Sequence, residues 1–200
     1  MRVRERNKSE KRERIRAAAL KLFSEQGYDA TTLRQVAKEA GVALGTLSLY
    51  ATDKRDLSLL AFIERIGALA DKGIKAAGGD ADASLEDRLI AFFQVFYRDF
   101  AKNITLARIF LQLNYQATGM HGPEYTAMSN RIAAALGELV EAARTSGDVS
   151  SDEPNELIGR HFFFVFSGAV RWWIAEPKPV PRQGVDELRR LFRLQINGLR

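Results

Sequence analysis

Apolar residues return every three or four positions along almost the whole chain, as at Leu85, Leu89, Phe92, Phe93, Phe96 and Phe100. No stretch alternates with the period of two that a half-buried strand requires. The pattern predicts an all-α fold with helices near residues 9–26, 32–40, 44–50, 54–76, 84–101, 104–116, 123–146, 155–175 and 185–198. Glycines, prolines and Asp/Ser clusters mark the breaks. Gly78, Gly79 and Asp80 lead to Ser84, a helix N-cap, and Glu176–Pro181 is a proline-rich break that no helix crosses.

The segment TTLRQVAKEAGVALGTLSLYATDKRDL, Thr31–Leu57, reads as two short helices meeting at a sharp turn. Gly41 suits the turn because that position commonly needs a positive φ. Ala37 offers a small side chain where the helices cross, and Val36, Ala40, Val42, Leu47 and Tyr50 take the inward positions. Upstream, Ile15, Ala18, Ala19, Leu22 and Phe23 form one apolar face that completes a three-helix core. The reading is a helix-turn-helix; its bland alternative is a helical hairpin with a glycine turn.

Charge separates the two. Residues 1–60 hold 13 Lys and Arg against 8 Asp and Glu, and the remainder holds 17 of each, so the whole net charge of +5 lies at the N-terminal end. A localised basic excess points to a polyanion partner bound by that end. With double-stranded DNA as the partner, the second helix turns Leu44, Gly45, Thr46, Ser48 and Leu49 toward the major groove. Bases would then be read by hydroxyls and by apolar contact with thymine methyl groups rather than by Arg on guanine. Thr32 caps the first helix with its amide toward a phosphate. Arg34 reaches a backbone phosphate or, less often, a base edge, or stays a solvated surface charge. The basic residues 1–8 read as an arm that touches DNA or as a solvated tail.

From Ile15 to Leu57 the chain resembles the DNA-binding domain of the tetracycline-repressor (TetR) family. The resemblance lies in LFSEQGYDATTLRQVAKEAGV, Gly45-Thr46-Leu47, Tyr50, Lys54 and Leu57. Ser48 and Ala51 stand where the family has aromatics, and Ala43 stands where it commonly has a capping serine. The resemblance implies phosphate contacts from Tyr50 and Lys54. For Tyr50 the plain alternative is core packing, and for Lys54 a solvated helix start. It also implies a ligand-relieved repressor that binds a near-palindromic operator as a dimer. The domains are then 1–8 an arm, 9–57 the DNA-binding domain and 58–200 a helical bundle for ligand binding and dimerisation.

Beyond residue 60 the helices speak for themselves. His161–Ala175 is apolar around its circumference and needs partners on two sides, either its own bundle and a second subunit or a buried place within one chain. Val185, Leu188, Phe192, Gln195, Ile196 and Leu199 form a one-sided stripe. With the family likeness, a homodimer through residues 155–175 and 185–199 is expected. The crowd of aromatics is mostly core. With the family likeness it suggests a pocket for a small apolar or aromatic effector among Phe96, Phe100, Phe110, Gln112, Asn114, His161, Phe166, Arg171 and Trp172.

With no cysteine, only two histidines (His121 and His161) and no HExxH, GxxxxGK[ST] or GxSxG motif, no catalytic residue, metal site or cofactor is expected. His161 reads as a core or pocket residue before a metal ligand. The most apolar stretch is short and broken by Arg171, so no membrane partner is expected and the protein reads as soluble and cytoplasmic. The rival to an effector-sensing regulator is an architectural DNA binder or adaptor without a ligand.

Overall fold

The computed structural model describes residues 3–80, 82–113 and 118–199. Among these the chain is helical with no strand: α1 (Val3–Gln26), α2 (Leu33–Glu39), α3 (Leu44–Leu47), α4 (Lys54–Ala77), α5 (Leu85–Phe100), α6 (Ile104–Leu113), α7 (Gly122–Thr145), α8 (Asn155–Ala175) and α9 (Pro181–Gly198). No helix of the described residues is long and apolar enough to cross a membrane.

Three ends differ from the sequence expectation, the first being α3, which closes at Leu47 and gives way to a turn rather than running to residue 50. Helix α1 starts at Val3, so the basic residues 3–8 are its first turns rather than a separate arm. Arg, Lys and Glu all favour helix, and a polar helix beyond the core leaves no apolar rhythm to betray it. Helix α9 starts at Pro181, at the head of the helix, where the missing N–H costs nothing.

The chain forms two compact units, residues 1–66 with 103–127 and residues 67–102 with 128–200. Unit 1 is built on Ile15, Ala19, Phe23, Val36, Leu47, Leu57 and Leu60, all shut off from solvent. Phe62 and Phe110 add a tilted pair with centroids 5.3 Å apart.

Unit 2 is an aromatic core. Phe93 stacks on Phe166 at 4.3 Å and meets Phe192 at 5.6 Å, and Phe162 meets Phe192 edge-on at 5.2 Å. Each such ring contributes roughly 2–3 kcal/mol by burial alone. Helix α9 fits between α5 and α8 because Gly184 has no side chain; a Cβ there would lie 2.5 Å from Tyr97 and 2.7 Å from Trp173. The Tyr97 hydroxyl makes no hydrogen bond, and burial pushes that phenol up.

Charge fastens α9 to the start of α5. Arg193 and Arg189 reach Glu86 at 2.8 and 2.9 Å, and Arg189 reaches Asp87 at 2.6 Å. The hydrogen bond from Arg193 outweighs burial and holds the Glu86 carboxyl below its ordinary range; Arg189 and Ser84 do the same for Asp87. A carboxylate depressed in the folded state stabilises it above the unfolded pKa, near 4, and loses that contribution as pH falls through the folded value. Unit 2 is therefore expected to lose stability below about pH 4. In Glu86→Gln, thermal melts in acid should fall less steeply than in the wild type; parallel acid limbs would show that this clamp contributes nothing.

Candidate nucleic-acid interface

The interface is built on how the chain enters and leaves the two short helices. Thr32 accepts a hydrogen bond from the Gln35 amide at 3.2 Å while Gln35 Oε1 accepts from the Thr32 amide at 2.7 Å, a reciprocal capping box. Val36, Ala37 and Ala40 turn inward and Arg34 faces solvent. Gly41 has φ +63°, the left-handed conformation that the turn requires and that a Cβ would strain.

Helix α3 is a single turn. Ala43 heads it without a side-chain cap, leaving its first amides to solvent or a ligand. Leu47 is fully buried and anchors it, and Ala51 is equally buried just beyond. Leu44, Gly45, Ser48 and Leu49 are exposed and Thr46 is half-buried. Leu49 is 74% exposed, an apolar side chain held in water on a well-packed scaffold. The Ser48 hydroxyl donates back to the Leu44 carbonyl at 3.2 Å, and its lone pairs stay open.

Tyr50 is half-buried, and its hydroxyl donates to the Lys8 carbonyl at 3.3 Å, tying α1 to the exit of the recognition turn. Lys54 Nζ donates to the carbonyls of Tyr28 and Asp29 at 2.9 and 3.1 Å and lies 4.4 Å above the Tyr28 ring. Two of its three donors are thus engaged by carbonyls. Burial pushes the Tyr28 phenol up, against the pull of Arg55.

Sequence reasoning missed a polar lock behind this surface. Asp56, almost wholly buried, accepts from the Thr52 amide at 2.9 Å, the Thr52 hydroxyl at 3.2 Å and the His121 amide at 2.9 Å. The His121 ring lies between the Tyr50 carbonyl, 2.8 Å from Nε2, and the Glu124 carboxylate, 3.3 Å from Nδ1. Gly119, with φ +85°, lets the chain pass Asp56, whose Oδ1 would sit 2.9 Å from an added Cβ. Asn103 donates to the Ser24 hydroxyl at 2.7 Å. No local spacing announces a pairing across 65 or more residues, and Asp56 closes the charged run Asp53–Asp56, where nothing in the sequence sets it apart.

Phe96, Phe100 and Phe166 belong to the packed core of unit 2, whereas Phe110 and Gln112 are in unit 1, the latter exposed. His161 and Trp172 are exposed on α8, and Arg171 donates to the Ser167 carbonyl. Asn114 lies outside the described residues. A separate gap of about 160 Å³ opens among α4, α5 and α7, lined by Ile74, Ala77, Arg88, Phe92, Glu138 and Leu139 with others.

Comparison with known proteins places this surface in a family. The family model described as bacterial regulatory proteins, tetR family, matches residues 15–60. The HTH-type transcriptional regulator HbdR of Aromatoleum sp. is 51% identical over 51 residues, 26% of this chain and 22% of its own length. The HTH-type transcriptional repressor KstR of Mycolicibacterium smegmatis is 42% identical over 72 residues, 34% of this chain and 35% of its own length. The chain thus matches about a fifth to a third of these curated relatives. Among solved structures, FadR of Thermus thermophilus, a TetR family transcriptional repressor in complex with lauroyl-CoA, superposes with TM-score 0.75 at 22% identity, covering 94% of this chain and 95% of that one. FadR of Bacillus subtilis in complex with stearoyl-CoA gives 0.72 at 20% identity over 94% and 98%. Residues 15–60 thus match the model of the tetR family of bacterial regulatory proteins, and the fold of nearly the whole chain is shared with these FadR structures.

Proposed function

We propose that this protein is a cytoplasmic, sequence-specific transcriptional regulator that binds a near-palindromic operator as a homodimer and leaves it when an apolar effector binds. The observation that carries the reading is the exposed set Leu44, Gly45, Ser48 and Leu49, with half-buried Thr46 among them, on a one-turn helix anchored by Leu47 and the turn that follows it. Small side chains let the helix come close to base edges, and Leu49 suits a thymine methyl. Thr32, Arg34, Tyr50 and Lys54 supply phosphate contacts that fix register. To donate to a phosphate, Tyr50 gives up its bond to the Lys8 carbonyl.

Dimerisation is supported by the outer face of α8. Leu157, His161, Phe164, Gly168 and Trp172 follow one another at intervals of four, three, four and four residues and are all exposed, Phe164 by 61% and Trp172 by 72%. Helical spacing puts them in one stripe. Gly168 meets nothing within its own chain and leaves room at the middle of the stripe for a second copy. Leu194 on α9 is also 72% exposed. The effector class is read from the acyl-CoA molecules in the two FadR structures that share this fold.

Selection of bound sequences from a random duplex library tests the reading, with sedimentation of wild type and Phe164→Glu/Trp172→Glu. An inverted repeat, a dimeric wild type and a monomeric double variant with at least tenfold weaker operator binding are expected. Lauroyl-CoA, but not free CoA, should release the duplex. Salt-sensitive binding without sequence preference would sink the operator reading, and an operator complex indifferent to lauroyl-CoA would sink the effector class.

A further inference from the structure

The basic residues of α1 divide into two groups. Arg6 pairs with Glu10 at 3.5 Å, Arg12 with Glu124 at 3.1 Å and Glu64 at 3.6 Å, and Arg16 with Glu13 at 2.6 Å and Glu64 at 3.3 Å. Among the described residues, Arg4, Lys8, Lys11 and Arg14 have no ion pair, and all four are exposed. Spaced by four, three and three residues, these unneutralised cations occupy an arc of about 120° at 100° per residue. Glu10 and Glu13 fall outside that arc. A helix that kept its charges only for solubility would not sort them so.

The arc flanks the recognition turn at both ends. The Lys8 carbonyl accepts from the Tyr50 hydroxyl just beyond α3. The Arg14 guanidinium lies over Gly41 just before α3, 3.6 Å from where a Cβ would stand. Lys8 and Arg14 of α1 therefore meet the chain just beyond and just before α3.

Resting on the operator reading, we propose that Arg4, Lys8, Lys11 and Arg14 form a second phosphate-binding rail, seated on the sugar–phosphate strand that borders the groove entered by α3. The rail contributes affinity and salt dependence without reading bases, because point charges on phosphates carry no sequence information. Its helical form spares the ordering entropy that a disordered arm would lose on binding.

The test is the salt dependence of binding to the duplex enriched by selection and to a scrambled duplex of equal length, between about 50 and 200 mM KCl. One variant replaces Arg4, Lys8, Lys11 and Arg14 by Gln, which keeps helix propensity. A second, of equal charge, replaces the exposed Lys72, Lys75, Lys178 and Arg190 by Gln. Circular dichroism and melting establish that both fold. The α1 variant should lose about 0.9 from the logarithmic salt slope for each phosphate released, so about 2 to 4 per protomer, on both duplexes, with the preference between them kept. The second variant should retain the wild-type slope. An unchanged slope in the α1 variant, or an equal fall in both, overturns the rail while leaving the operator reading intact. A wild type that prefers neither duplex overturns that reading and the rail with it.

Discussion

Gly45→Glu is expected to fold at least as well as the wild type and to bind its operator at least 100-fold more weakly. The two halves of this expectation come from one observation: a Cβ at Gly45 meets nothing within 4 Å, and the residue is exposed on α3. Inside the molecule the larger side chain has room, and a helical glycine replaced by a better helix former gains roughly 0.5–1 kcal/mol. At a DNA surface the same position leaves no room, and a carboxylate there faces phosphate charge and acceptor-rich base edges. Melting temperature and fluorescence anisotropy on the selected duplex, measured on one preparation, separate the effects. Gly45→Ala should fall between the two proteins. Operator affinity retained in Gly45→Glu would mean that α3 does not enter the groove.

In unit 2 the largest loss of stability is expected from Gly159→Val. A Cβ at Gly159 would stand 2.5 Å from the Gly137 amide nitrogen, 2.8 Å from the Ala133 carbonyl oxygen and 2.9 Å from the Gly137 Cα. These are backbone atoms of α7, which cannot rotate away, so the two helices must part and expose what they cover. Overpacking of this kind costs about 1–3 kcal/mol where side chains can yield, and more where they cannot. At 2–4 °C per kcal/mol for a chain of this size, a fall of roughly 6–12 °C in Tm is expected. Gly159→Ala should show a smaller fall, because the gain in helix propensity partly offsets the clash. An unaltered melt in both would mean that α7 and α8 do not cross this closely.

Most of the fold was legible because helices announce themselves through a 3.6-residue rhythm and end at glycine and proline. The turn at Gly41, the cap at Thr32 and the inward places of Val36, Ala37 and Leu47 could be read from residue type and spacing. The first turns of α1 could not, since a run of charges looks the same in a helix as in a solvated tail. Phe96, Phe110 and Trp172 were grouped for an effector on aromatic character, but their places in the fold depend on which face of which helix meets which neighbour. Asp56 and His121 join through a tertiary hydrogen bond that no periodicity encodes. Local chemistry was therefore readable and long-range polar pairing was not.

Unit 1 is interrupted in sequence, taking residues 1–66 and then 103–127. During synthesis the stretch 67–102 must leave the ribosome before Asn103 can reach Ser24 or His121 can reach Tyr50 and Asp56. At about 5–20 residues per second, the interval between residue 66 and residue 127 is roughly 3 to 12 s. For that time the nascent helix-turn-helix carries the buried Asp56 carboxylate without one of its donors. A nascent chain thus completes unit 1 only after about the first third of unit 2 has been made, which orders assembly in time.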